Sequence, residues 1–95
     1  MELKICVLCE REVRTLTKHH LVPKEEGGRY TQTVLLCQPC HTTIHCTFSN
    51  KELAISYNNV QKLKVAPRLS NYLEWIKGKS IERIINKKRK KYKGL

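Results

Sequence analysis

Four cysteines of the chain occur as two closely spaced pairs. Each pair has the pattern Cys-x-x-Cys, and the pairs are Cys6 with Cys9 and Cys37 with Cys40. A gap of two residues lets both thiolates of a pair reach one ion, and Zn²⁺ takes four such ligands in a tetrahedron. The spacing therefore predicts one structural Zn²⁺, with disulfides or free buried thiols as the alternative. Cys46 is left over, and we expect it to be a small buried thiol.

Four histidines lie between the cysteine pairs or just after the second pair. His19 and His20 are adjacent, and His41 and His45 are four residues apart. Two residues at this spacing share one face of a helix, whereas adjacent residues of a strand face opposite ways. Imidazoles are common ligands of divalent ions, so the histidines predict a second metal site beside the zinc. The alternative is that they only fill core or surface positions.

Two strands and a helix are the elements that must position these histidines. Residues 15–22 and residues 31–36 carry β-branched and apolar side chains and are predicted to be strands. Residues 24–29 contain two glycines and no periodicity, which predicts a loop between the strands. Pro39 suits the first turn of a helix, so a helix is predicted to follow over residues 41–48.

Further helices are predicted in the C-terminal half. Ser49 and Glu52 have the spacing of a capping box, which starts a helix that continues to about Tyr57. A short helical turn is predicted over residues 60–65. Pro67 opens another helix, whose apolar positions recur at helical spacing until Gly78. Three further apolar side chains follow Ser80 at similar spacing, so we expect a last helix over the following residues.

The positive charge is concentrated at the C-terminus. The 95 residues carry a net charge of +11, but residues 77–95 alone contain nine basic residues and one acidic residue. Such a segment is typical of proteins that bind polyanions through their phosphates, although a solvated tail that aids solubility is the alternative. We therefore divide the chain into a domain over residues 1–76 and a basic helix or tail over residues 77–95.

The length and composition exclude several classes of protein. A chain of 95 residues accommodates one domain, and with 40% hydrophobic residues its core is small enough to need a metal staple. No apolar run approaches the roughly 18 residues of a membrane span. The N-terminal residues also lack the features of a secretion signal. We therefore expect a cytoplasmic protein with no membrane partner.

Two stretches of the sequence together resemble the HNH endonuclease family. They read HHLVPK at residues 19–24 and LCQPCHTTIH at residues 36–45, with a Gly-Gly loop between them. The resemblance covers about residues 4–48 and extends more weakly to residues 48–54 and 67–75, as in small free-standing bacterial HNH proteins. It implies an α+β fold with a ββα-metal core, stapled by a four-cysteine zinc and followed by C-terminal helices.

The same resemblance implies a set of catalytic roles. His20 would be the general base that takes a proton from water, and His19, His41 and His45 would hold one catalytic divalent ion (Mg²⁺, Mn²⁺, Ni²⁺ or Zn²⁺). The implied reaction is phosphodiester hydrolysis that leaves 5′-phosphate and 3′-hydroxyl ends. We expect a DNA endonuclease that nicks double-stranded DNA with weak sequence specificity, takes no small-molecule substrate, and is a monomer or weak dimer. The alternative is a non-catalytic zinc-stapled module that binds nucleic acid.

One residue of the family motif is absent from the chain. Where the family has its middle asparagine, on the second strand, this sequence has Gln32 or Thr33, and an amide or hydroxyl could still brace the loop that carries the base. Basic residues that flank this loop or lie in the C-terminal segment are candidates for phosphate contacts. These candidates are Lys18, Lys24, Arg29, Lys87, Lys88, Arg89, Lys90 and Lys91.

Overall fold

The computed structural model describes residues 2–30 and 32–85, in which short strands precede a series of helices. The strands are β1 (Lys4–Ile5), β2 (Glu12–Val13), β3 (Thr17–His20) and β4 (Thr33–Leu36), and the helices are α1 (Gln38–Thr47), α2 (Asn50–Ile55), α3 (Val60–Lys64) and α4 (Pro67–Lys77). A single turn of 3-10 helix, Lys24–Glu26, lies between β3 and β4. None of the helices in the described residues is long and apolar enough to cross a membrane.

The centre of the fold is a β-hairpin covered by a helix. Strands β3 and β4 pair antiparallel, with His19 opposite Val34 and His20 opposite Thr33. Helix α1 follows at once and packs against β3. It begins at Gln38, earlier than predicted, because Pro39 already occupies its first turn. This arrangement confirms the predicted α+β fold with a ββα core.

Strands β1 and β2 form a second, two-stranded sheet that holds the first cysteine pair. They pair antiparallel, with Lys4 opposite Val13. Between them the chain turns tightly, and the backbone N–H of Glu10 donates to the carbonyl oxygen of Cys6 at 2.8 Å. Glu10 has a φ of 65°, a left-handed conformation that closes this turn directly after Cys9.

The C-terminal helices close the core as predicted. Both hydrogen bonds of the capping box between Ser49 and Glu52 are present at the start of α2. Helix α4 ends at Gly78 and buries Leu69, Leu73 and Ile76 on one face. Their apolar surface packs with α1 and α3, so the core lies between the hairpin unit and the C-terminal helices.

The prediction of a last helix after Ser80 is wrong for the described residues. Residues 79–85, which we call the C-terminal strap, contain no helix. Arg11 donates to the carbonyl oxygens of Lys79 and Ile81 at 2.9 and 2.8 Å. The backbone N–H and carbonyl of Ile84 both bond to the side chain of Gln38. These bonds occupy backbone groups that a helix would need for its own hydrogen bonds. Residues 86–95, with most of the predicted basic tail, lie outside the described residues.

Candidate metal centres and active site

The two cysteine pairs converge on one point. Each of the four residues has its sulfur within 4.8 Å of the others, and all four are buried. The sulfurs of Cys9 and Cys37 lie 3.8 Å apart. A disulfide requires about 2.05 Å, whereas a tetrahedron with Zn–S bonds of about 2.3 Å separates its sulfurs by about 3.8 Å. The donor set therefore fits a structural Zn²⁺. Cys46 lies outside the cluster and is only partly buried, not buried as predicted.

Hydrogen-bond donors surround the sulfurs of this cluster. Arg11 donates to the sulfurs of Cys9 and Cys37, each at 3.4 Å. The hydroxyl of Tyr72 donates to the sulfur of Cys40 at 3.3 Å. Although burial opposes it, the hydrogen bonds to Cys9 and Cys37 raise the pKa of Arg11, so its guanidinium stays charged beside the thiolates. A buried positive charge offsets the negative charge of a tetrathiolate site, which stabilises the deprotonated ligands.

Three of the histidines form a second cluster. His19, His41 and His45 each offer a ring nitrogen within 4.8 Å of the others, and we call them the histidine triad. His19 is fully buried, yet neither of its ring nitrogens has a hydrogen-bond partner. Leaving such groups unsatisfied costs about 1–3 kcal/mol. A divalent ion held by the triad would satisfy one of these nitrogens, so the donor set fits a metal site.

The environments of His19 and His41 favour the neutral form of both imidazoles. Burial, with a smaller contribution from the neighbouring histidines, lowers the pKa of His19 to about 4. Burial also lowers the pKa of His41, with a contribution from the charge of His45. The neutral imidazole is the form with a free lone pair, which is the form that binds metal ions. At neutral pH His19 and His41 are therefore ready to accept an ion without first losing a proton.

A threonine of β3 orients one ligand of the triad. The hydroxyl of Thr17 lies 2.7 Å from Nδ1 of His41 and donates to the carbonyl oxygen of Leu36 at 3.0 Å. Because a hydroxyl has one proton, Thr17 accepts its second bond from Nδ1–H of His41. That bond leaves the lone pair on Nε2 of His41, which is the pattern of a metal-ligating histidine held by a neighbouring acceptor.

His20 lies beside the triad but is not part of it. It is the last residue of β3, and strand alternation turns it to the face opposite His19. The charge that His20 acquires on protonation lowers the pKa of His19 and His41, so the four rings interact electrostatically. Directly across the hairpin from His20 is Thr33, which is partly buried.

The family comparison covers both the cysteine cluster and the histidine triad. The sequence model of the HNH endonuclease family matches residues 6–47, which contain both cysteine pairs and all four histidines. A protein from Bacillus subtilis (strain 168), named as uncharacterized protein YisB, is 44% identical over 85 residues, which span 90% of this chain and 85% of that protein. This chain belongs to the HNH endonuclease family. HNH domains act on nucleic acids. No solved structure gives a significant match.

The register of the hairpin distinguishes Gln32 from Thr33, the two residues that could replace the absent HNH asparagine. Gln32 is exposed, and its carbonyl oxygen accepts the backbone N–H of Leu21 at 3.1 Å. Thr33 is the direct cross-strand partner of His20, so the two side chains share a face. Of the two alternatives left open by the sequence, Thr33 is therefore the one placed beside His20.

The basic residues predicted to contact phosphates are exposed where they are described. Lys18 lies on the face of β3 that carries His20, Lys24 begins the 3-10 turn, and Arg29 holds its guanidinium 5.6 Å above the ring of Tyr30. The remaining candidates, Lys87, Lys88, Arg89, Lys90 and Lys91, lie outside the described residues.

The sequence patterns did not identify the residues that support the cysteine cluster and the histidine triad. Arg11, Thr17 and Tyr72 contact ligands or candidate ligands, but each lies far along the chain from at least one residue it bonds. No local pattern marks them, because their role depends on contacts between separate elements. The position of Arg11 two residues after Cys9 is the one signal that could have singled it out.

Proposed function

We propose that this HNH protein is a metal-dependent endonuclease that hydrolyses phosphodiester bonds of double-stranded DNA. The observation that carries the proposal is the histidine triad. Neither ring nitrogen of buried His19 has a hydrogen-bond partner, and one of them lies within 4.8 Å of ring nitrogens of His41 and His45 on α1. A buried imidazole whose two ring nitrogens both lack a hydrogen-bond partner is costly to keep unless it binds something. A non-catalytic zinc module would not require it.

Three imidazoles define which ions the triad would bind. Imidazole is a better ligand for Zn²⁺, Ni²⁺ and other transition metals than for Mg²⁺, which prefers oxygen donors. We therefore expect Ni²⁺, Zn²⁺ or Mn²⁺ to support activity better than Mg²⁺. When bound, such an ion supplies positive charge that stabilises the attacked phosphate and the departing 3′ oxygen.

His20 is proposed as the general base. A neutral imidazole at the end of β3 takes a proton from a water molecule, whose oxygen then attacks the phosphorus. The bond from phosphorus to the 3′ oxygen breaks, and the products are a 5′-phosphate and a 3′-hydroxyl that takes its proton from solvent. Thr33, across the hairpin, would brace His20 in the place of the missing asparagine.

We expect weak sequence preference and cleavage of one strand at a time. No helix in residues 2–30 and 32–85 presents the interleaved arginine, asparagine and glutamine side chains that read base edges. The described part of one chain contains a single histidine triad, so one encounter would cut one strand. A monomer or weak dimer in the cytoplasm suits this activity. Lys18, Lys24, Arg29 and the basic segment of residues 77–95 would supply non-specific affinity.

Conversion of supercoiled plasmid to open circles tests the proposal. Purified protein with its zinc retained would be incubated with plasmid and Mg²⁺, Mn²⁺, Ni²⁺ or Zn²⁺, with and without a chelator. We expect metal-dependent nicking that is reduced by about 10² or more in His20→Ala, since a general base contributes on that order. Lys51→Ala, on the exposed surface of α2, is the control and should nick like the wild type.

The outcomes separate catalysis from binding alone. If wild type and His20→Ala nick equally, the nicking does not depend on His20, and the proposal of a nuclease with this general base is wrong. DNA binding without nicking under any of the four ions would favour the non-catalytic zinc module. Accumulation of linear plasmid before open circles would contradict the expectation of single-strand cleavage.

A further inference from the structure

A cleft opens beside the histidine triad on the side of the C-terminal strap. Its volume is about 320 Å³, which is enough for a phosphate and part of its sugar. Of the two stretches that carry the HNH resemblance, residues 19–24 contribute no lining residue and residues 36–45 contribute one, Gln38. The cleft is lined by Arg14, Thr15, Thr17, Gln38, Glu82 and Arg83.

The docked strap forms one wall of this cleft. Gln38 bonds to both backbone groups of Ile84, and both carboxylate oxygens of Glu82 accept the backbone N–H of Arg14 at 3.1–3.2 Å. Arg11 holds the beginning of the strap against the four-cysteine cluster. If residues 81–85 had formed the predicted helix, this wall would be absent.

One residue connects the cleft directly to the triad. Thr17 lines the cleft and also hydrogen-bonds Nδ1 of His41 at 2.7 Å. The side chain of Thr17 therefore lies between the cleft and His41, a candidate metal ligand. A strand of nucleic acid that placed a phosphodiester at the triad would have its neighbouring phosphate within reach of this cleft, since successive phosphates lie only a nucleotide apart.

The charged groups of the cleft suit a phosphate. Arg14 and Arg83 are exposed, and neither forms a salt bridge with any residue that the structure describes. The only carboxylate of the lining, Glu82, is engaged by the backbone of Arg14. The other lining side chains are uncharged hydrogen-bonding groups. Guanidinium groups bind phosphate in a bidentate manner, so two of them around one cleft favour a phosphodiester over a neutral ligand.

We propose that this cleft binds the phosphodiester backbone of the nucleic acid next to the cleaved bond, with Arg14 and Arg83 as its phosphate-binding residues. The proposal rests on the proposed nuclease function and names the substrate contacts of that site. It adds two residues to the phosphate contacts predicted from the sequence and gives the strap a role in forming the substrate path.

Binding of a fluorescent duplex of about 20 base pairs tests the cleft separately from cleavage. Fluorescence anisotropy would be measured at several salt concentrations for zinc-loaded wild type, Arg14→Gln, Arg83→Gln and the double variant, without added divalent ion. We expect each single change to weaken binding about tenfold and to reduce the slope of log K against log salt by about one. Lys62→Gln removes the same charge from exposed α3, outside the cleft, and should change affinity less than about twofold.

Retention of zinc and an unchanged circular dichroism spectrum would show that each variant is folded. The cleft proposal is overturned if both arginine variants bind the duplex like Lys62→Gln while the wild type nicks plasmid. If the arginine variants lose affinity but the wild type nicks no plasmid under any ion, the cleft stands and the nuclease proposal fails.

Discussion

The hydroxyl of Thr17 lies 2.7 Å from Nδ1 of His41, and the same hydroxyl donates to the carbonyl oxygen of Leu36 at 3.0 Å. One oxygen atom of β3 therefore contacts both β4 and α1, the two other elements of the ββα core. The carbonyl oxygen can only accept, so the hydroxyl proton is committed to it. The imidazole of His41 must then donate, and its orientation and tautomer are set by the packing of the core.

Replacement of Thr17 by valine should weaken metal binding at the histidine triad. Valine keeps the shape of the side chain but cannot accept the proton of Nδ1, and loss of such supporting bonds typically costs about 10–100-fold in metal affinity. Titration calorimetry with Ni²⁺ on the zinc-loaded protein would measure this. Thr17→Ser should restore most of the affinity, and Thr47→Val, at the end of α1, should leave it unchanged. Equal Ni²⁺ affinity in Thr17→Val and wild type would contradict the prediction.

Replacement of Arg11 by methionine should release the C-terminal strap and destabilise the protein. The change removes four donated hydrogen bonds, two to thiolates and two to strap carbonyls, with an expected loss of about 3 kcal/mol in unfolding free energy. A glutamate-specific protease should then cleave after Glu82 much faster than in the wild type. Arg29→Met, in the exposed loop, serves as the matched control. Unchanged cleavage after Glu82 would mean that other contacts are sufficient to hold the strap.

Replacement of Cys37 by serine should remove the structural zinc and unfold the chain. A four-cysteine zinc site contributes on the order of 10 kcal/mol to folding, and the small core cannot replace that contribution. Mass spectrometric metal analysis and circular dichroism would report the loss. Cys46→Ser lies outside the cluster and should keep both the zinc and the fold. Stoichiometric tight zinc in Cys37→Ser would disprove the assignment of this ligand.

Replacement of Gly28 by alanine should be more damaging than the same change at Gly27. A Cβ on Gly28 would lie 1.7 Å from the carbonyl oxygen of Val22, so the backbone must move, at a cost of about 3 kcal/mol. Gly27 has a φ of 89° but open space around it, and alanine there should cost about 1 kcal/mol. Chemical denaturation of both variants would check the order. The reverse order would show that the loop relaxes easily around Gly28.

The movement forced by Gly28→Ala should also reduce nicking, because Val22 lies only two residues from His20. Gly27→Ala provides the comparison, since it strains the same loop without that contact. Nicking rates normalised to the folded fraction would separate the two effects. Full activity of folded Gly28→Ala would indicate that the end of β3 is independent of the loop.

Features that depend on spacing within one element could be predicted from the sequence. The cysteine pairs, the two histidines of α1, the capping box at Ser49 and the apolar face of α4 all follow from the geometry of a turn or a helix. Alternation along β3 also predicted that His19 and His20 would face opposite ways. These properties are local, because the backbone repeat alone decides which side chains share a face.

Features that depend on how elements pack were decided only by the tertiary structure. Arg11 bonds Ile81 across 70 residues and Cys37 across 26, and Thr17 bonds His41 across 24. Such contacts produce no periodic pattern in the sequence, because each partner considered alone is an ordinary polar residue. The choice of Thr33 over Gln32 as the neighbour of His20 likewise required the strand register.

The C-terminal strap shows most clearly why a prediction from local sequence can differ from the tertiary structure. Its apolar spacing after Ser80 favours a helix when considered alone, but its backbone groups bond to the side chains of Arg11 and Gln38 instead. The carboxylate of Glu82 also accepts the backbone N–H of Arg14. Short isolated helices are marginal in water, so partners fixed by the rest of the fold can outweigh helix propensity. The sequence by itself identified the four cysteines and the three histidines that the structure brings together. The packing of distant elements decided how those sets are supported and formed the cleft beside them.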